Sequence, residues 1–95
     1  MSYKILLSPK ANDFLEKLDK KDKERMKNKL AGLKNNPELG KPLTGRLSGL
    51  WSLRTGDYRA LYQIRHSELL ILVLKIKHRK DAIIILNNFF TKLIL

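Results

Sequence analysis

Beyond Gly49 the chain alternates apolar and polar residues with period two, and two turn signals cut that alternation into three pieces. No other feature constrains the fold as much. Trp51, Leu53 and Thr55 share one parity, Ser52 and Arg54 the other. Gly56-Asp57 supplies a hairpin turn, residues 58–65 a second strand, Ser67-Glu68 another turn, and residues 69–77 a third strand. Strands joined this tightly lie side by side as an antiparallel meander.

The N-terminal half carries the helices. Residues 3–7, Tyr-Lys-Ile-Leu-Leu, are short and apolar and read as a first strand. Ser8 caps the helix that follows, and Pro9 takes its first position, where a missing N–H costs nothing. Ala11, Phe14, Leu15 and Leu18 then recur at helical spacing. A second helix starts at Asp19 or Asp22 and runs to about Asn36, because Pro37 prevents continuation. Its apolar stripe is only Met26, Leu30 and Leu33, while Lys20, Lys21, Lys23, Arg25, Lys27 and Lys29 cover the rest. Those cations are either a solvated helical face or a surface that touches a phosphate backbone.

Residues 37–49 hold Gly and Pro breakers and no sustained period, so they read as a loop. In residues 81–95, Ala82, Ile83, Leu86, Phe89, Phe90 and Leu93 stand at helical offsets and predict a C-terminal helix. The β-branched run Ile83-Ile84-Ile85 suits a strand equally well. The predicted order is β-α-α-β-β-β with a C-terminal helix. This describes a small α+β single domain over residues 1–95, an antiparallel sheet with an N-terminal pair of helices packed on one face.

Composition narrows the function. With 20 Lys plus Arg against 9 Asp plus Glu, the 95 residues carry a formal charge of +11, and a polyanion is the first partner to consider. A core of this size leaves little room for a bound dinucleotide, so no small-molecule cofactor is expected. The apolar fraction of 43% separates the chain from a disordered basic tail. Without Cys there is no disulfide scaffold, Cys nucleophile or thiolate metal site, and no His-rich spacing points to a metal. The cytoplasm is the expected compartment. No apolar run approaches membrane-spanning length, so no membrane partner is expected.

Strand parity sorts the cations. Arg59 and Leu61 share one face, opposite Tyr58, Ala60, Tyr62 and Ile64. In the last strand Leu70, Leu72, Leu74 and Ile76 are expected to meet the helices, with Lys75 and Lys77 facing away and Arg79 continuing their row. With Ser52 and Arg54 on that side, Arg54, Arg59, Lys75, Lys77 and Arg79 form a cationic patch across three strands. So many like charges on one sheet face are destabilising unless an anion offsets them. Trp51 has the opposite parity and reads as core.

The run Leu53-Arg-Thr-Gly-Asp-Tyr-Arg-Ala-Leu-Tyr62, an apolar strand, and then Lys77-His-Arg-Lys-Asp81 together resemble the signature of the RelE/ParE toxin superfamily. The element order, length and charge agree along essentially the whole chain. The resemblance implies a toxin of a type II toxin–antitoxin system. RelE-like members cut mRNA in the ribosomal A site, whereas ParE-like members act on DNA gyrase. Both are neutralised by an antitoxin whose extended segment wraps the toxin, here a cognate acidic, RelB-like one. A basic RNA- or DNA-binding module without catalysis is the remaining alternative.

Metal-independent RNA cleavage of this kind is attack of the ribose 2′-OH on the adjacent phosphorus, with departure of the 5′-oxygen and formation of a 2′,3′-cyclic phosphate. It needs a base, a stabiliser of the phosphorane charge and an acid. A guanidinium fork fits the second role. By the resemblance, Arg59 matches the arginine of the family's Gly/Asp-Tyr-Arg strand, and Arg79 that of its second basic element. RelE nucleases often carry a tyrosine four to six residues after the second arginine, where this chain has Ile83 at the fourth position and no Tyr beyond Tyr62. Leu50 and Ser52 stand where the best-known pattern has two lysines. Lys75, Lys77 or His78 are candidates for proton transfer, since a lysine among other cations gives up its proton more readily. The expected catalytic set is Arg59, Arg79 and Lys77, and the expected phosphate-binding set is Arg54, Lys75, Ser52 and His78.

Overall fold

A computed structural model describes residues 2–80. Strand β1 (Lys4–Leu7) leads into helix α1 (Pro9–Lys17) and helix α2 (Lys20–Ala31), followed by a short 3-10 turn (Gly32–Lys34). Strands β2 (Lys41–Pro42), β3 (Leu50–Thr55), β4 (Tyr58–Arg65) and β5 (Leu70–His78) complete one five-stranded sheet of order β1-β5-β4-β3-β2. The predicted C-terminal helix, with Ile83, lies outside the described residues.

Both helices begin as their sequences dictate. The Ser8 hydroxyl accepts from the Ala11 N–H at 3.1 Å, and Asp19 caps α2 by accepting from the Asp22 N–H at 2.9 Å. Ser8 also donates to the Leu74 carbonyl at 2.6 Å, which ties the start of α1 to β5. Ser8→Ala is therefore expected to cost about 1 kcal/mol or somewhat more in a urea titration, since it removes a cap and an inter-element bond together. Ala11 and Leu15 of α1 and Met26, Leu30 and Leu33 pack on Leu53, Ala60, Tyr62, Ile71, Val73 and Ile76 of the sheet, the helix pair covering one face as expected. Trp51 packs against the same core and stacks on Tyr62 with ring centroids 6.2 Å apart.

Three details differ from the sequence expectation. The meander is antiparallel, but β1 runs parallel to β5, pairing Lys4 with Leu70 and Leu7 with Val73, so the sheet is mixed. Two helices and the whole meander separate these strands in sequence, and no hairpin imposes the antiparallel direction. Within the expected loop of residues 37–49, β2 pairs with β3, Lys41 opposite Ser52 and Pro42 opposite Trp51. Two residues are too few to display a period.

The third difference concerns faces. Leu61 pairs with Lys75, but the next residue, Tyr62, pairs with Val73, so Leu74 is an extra residue in β5. This bulge inverts parity along the strand. Ile71 and Val73, rather than Leu70, Leu72 and Leu74, are buried beneath the helices, while Ile76 is buried as expected.

Candidate functional site

Past the bulge, register lines the cations up. Arg54 of β3 stands directly opposite Arg59 of β4, and Arg59 opposite Lys77 of β5. The neighbouring row is Ser52, Leu61 and Lys75. Three cations abreast on one face oppose folding, since like charges in facing positions repel.

The side chains then separate into two groups. Arg54, Arg59 and Arg79 converge with Lys80 on an open recess of about 370 Å³. Lys75 and Lys77 instead line a recess of about 230 Å³ with Lys10 of α1. The Lys77 ammonium lies 5.4 Å from the centroid of the Phe14 ring, a cation–π distance that directs it toward α1. Of the three expected catalytic residues, Arg59 and Arg79 therefore share a recess, and Lys77 lines another.

Arg79 is fixed by the tip of the β3–β4 hairpin. Its backbone N–H donates to the Asp57 carbonyl at 2.7 Å, and its Nε lies 3.9 Å from Asp57 Oδ1. Both side chains are at least half exposed, so this ion pair orients the guanidinium more than it stabilises the fold. The turn needs Gly56, whose φ is +59°, and an added Cβ there would also meet the Arg25 guanidinium at 3.2 Å.

His78 faces the helix side with Ile76, half-buried and edge-on to Tyr58 at 5.6 Å. Its Nδ1 accepts from the Lys80 N–H at 3.3 Å, which leaves the ring proton of the neutral form on Nε2. His78 thus orders the backbone beneath Lys80 and does not line the arginine recess. The other histidine, His66, shares a 2.7 Å hydrogen bond with the Tyr3 hydroxyl.

Lys80 is the recess cation that parity did not single out. Its only signal was adjacency to Arg79, one residue past the end of β5. Among the described residues, Arg54, Arg59 and Lys80 have no carboxylate within ion-pair distance. Three forked donors and an ammonium match the charge and geometry of a phosphodiester, because each guanidinium can take two oxygens and stays charged.

A second recess, of about 210 Å³, adjoins the first. Arg54 and Arg59 belong to both, and Ser52, Gly40, Lys41 and Lys29 of α2 line it together with Leu39 and Leu53. Gly40 lets β2 come this close. A Cβ there would sit 2.5 Å from the Ser52 carbonyl oxygen and 2.9 Å from the Tyr62 hydroxyl.

A family model described as the ParE toxin of the type II toxin–antitoxin system parDE matches residues 5–83. Toxin RelG of Mycobacterium tuberculosis is 42% identical over 43 residues, a stretch covering 45% of this chain and 49% of that one, so the match spans about half the length of the curated relative. Among solved structures, the RelBE2 toxin–antitoxin complex of Mycobacterium tuberculosis superposes with a TM-score of 0.73 at 30% identity, covering 83% of this chain and 100% of that one. The RelE–RelB complex of Pyrococcus horikoshii gives a TM-score of 0.68 at 28% identity, covering 83% and 97%.

Proposed function

The chain belongs to the ParE toxin family of type II toxin–antitoxin systems, within the RelE/ParE superfamily, and from that premise we propose that it is a cytoplasmic, ribosome-dependent mRNA endoribonuclease held inactive by a cognate acidic antitoxin. The observation that carries this reading is the convergence of Arg54, Arg59, Arg79 and Lys80 on one solvent-open recess. In the proposed step the ribose 2′-oxygen bonds to phosphorus, the 5′-oxygen departs, and the products are a 2′,3′-cyclic phosphate and a 5′-hydroxyl. Arg59 and Arg79 take the non-bridging oxygens as their charge grows, and Arg54 holds the phosphate from the β3 side. The Lys80 ammonium, which lines the same recess, is the proposed donor to the leaving oxygen. Lys75 and Lys77, in the recess they share with Lys10, remain the candidates for accepting the 2′ proton. An acidic antitoxin would neutralise the same cations that grip RNA, which supports one partner replacing the other. The toxin–antitoxin complexes among the relatives support such a partner as well.

The family model that matches is named for ParE, which favours gyrase inhibition as a second reading. One pair of assays separates them. Purified protein added to translating ribosomes is expected to produce new mRNA 5′ ends at A-site codons, seen by primer extension, while gyrase supercoiling proceeds unchanged. Intact mRNA together with blocked supercoiling would reverse the assignment.

A further inference from the structure

The recess on the β2 side of Arg54 and Arg59 has no part in the chemistry proposed above, yet it is as cationic as the first. Lys41 stands directly across from Ser52, so its side chain leaves the sheet on the face that carries Arg54, and Lys29 reaches the same recess from α2. Both lysines are exposed, and among the described residues neither has a carboxylate within ion-pair distance. Lys23 and Lys27, on the same helix, both meet Glu16, at 3.4 and 4.0 Å. The charge on α2 is thus of two kinds, compensated and uncompensated. The uncompensated Lys29 is the one that shares walls with the arginines.

Gly40 adds a second observation. Its missing Cβ permits β2 to close on Ser52, and the Tyr62 hydroxyl accepts from the Gly40 N–H at 3.1 Å while donating to the Pro37 carbonyl at 2.7 Å. A buried side chain thus holds the short segment that presents Lys41. Because Arg54 and Arg59 line both recesses, an extended strand with its reactive phosphate in one would place a neighbouring phosphate in the other.

We propose that Lys29 and Lys41 form a second phosphate subsite, which binds the phosphate next along the RNA strand from the one held by Arg59 and Arg79. The proposal rests on the endoribonuclease reading and extends it to the direction of the strand, from the hairpin tip at Arg79 toward β2.

The test is binding of a short single-stranded 2′-O-methyl oligoribonucleotide, which cannot be cleaved, by anisotropy across a salt series. Each phosphate neutralised contributes about 0.7 to the slope of log affinity against log salt on single strands, so Lys29→Gln/Lys41→Gln, which empties a subsite for one phosphate, is expected to flatten it by about 0.7. Lys20→Gln/Lys21→Gln, at the other end of α2, is expected to leave the slope alone. Lys41→Arg, in the Lys29 wild-type background, is expected to keep it. Equal losses from the two double variants would mean a diffuse field and overturn the subsite, as would absence of wild-type binding at low salt. If the wild type cuts no mRNA but the slopes still separate, the endoribonuclease reading fails and the subsite stands. If it cuts and the slopes coincide, the reverse holds.

Discussion

Arg79→Ala is expected to lower mRNA cleavage on translating ribosomes by about 10²- to 10³-fold, the range for removing one preorganised donor from a developing oxyanion. Folding should be unaffected. The side chain is half exposed, its contact with Asp57 is a 3.9 Å surface pair, and the hairpin tip is held by the backbone bond from the Arg79 N–H to the Asp57 carbonyl, which the substitution leaves in place. Unchanged thermal unfolding with cleavage reduced by that factor and growth arrest relieved is thus the expected pattern. Arg79→Lys should recover only a small part, since an ammonium keeps the charge but not the fork. Asp57→Asn should cost far less than Arg79→Ala, because Asp57 orients the guanidinium and does not face the recess. A fully toxic Arg79→Ala would mean that phosphate chemistry takes place elsewhere on the molecule.

The arginines of the recess on β3 and β4 were legible in the sequence because the residues around them alternate. Apolar and polar residues take turns from Trp51 to Arg54 and again from Tyr58 to Ala60, so the faces of Arg54 and Arg59 follow from parity alone. Strand β5 is different. From Leu69 to Leu74 every residue is apolar, and such a run has no phase to read. The bulge at Leu74 then shifts parity by one, which is why Leu70 and Leu72 were expected beneath the helices where Ile71 and Val73 lie. Lys75 and Lys77 kept their predicted face because they follow the bulge. What parity could not give was direction within that face, and Lys77 turns toward Phe14 instead of joining Arg59. Strand β2 was illegible for another reason. Its existence depends on Gly40 fitting against Ser52 and on the Tyr62 hydroxyl, contacts 12 and 22 residues distant in sequence.

The largest expected effect on stability also falls at Tyr62. The ring is fully buried, stacks on Trp51, and its hydroxyl bridges the Pro37 carbonyl and the Gly40 N–H. Tyr62→Ala is expected to cost about 3–5 kcal/mol, as for other buried aromatics cut back to alanine. For a domain whose total stability is of the order of 5–15 kcal/mol, that leaves a substantial unfolded fraction on warming. Tyr62→Phe isolates the hydroxyl. It should cost about 1–3 kcal/mol, since Pro37 and Gly40 both lose their partner, and it should release β2 without touching the arginine recess.

The same pair of variants carries a pH signature. Burial raises the Tyr62 phenol above the ordinary value of 10.0; the Gly40 N–H opposes that shift and the charge of Glu38 adds to it. A raised phenol keeps its proton in the folded state while the unfolded chain loses one. Stability is therefore full below pH 10 and declines as pH climbs from there through the folded value. Tyr58 is raised in the same direction, by desolvation and by Asp22, Asp19 and Asp57, so part of the decline persists when Tyr62 is gone. Urea titrations at successive alkaline pH values should give a fall for the wild type and a smaller one for Tyr62→Phe. Identical slopes would mean that the hydroxyl is ionising with solvent access, and that the bridge to Pro37 and Gly40 does not hold β2 against β3.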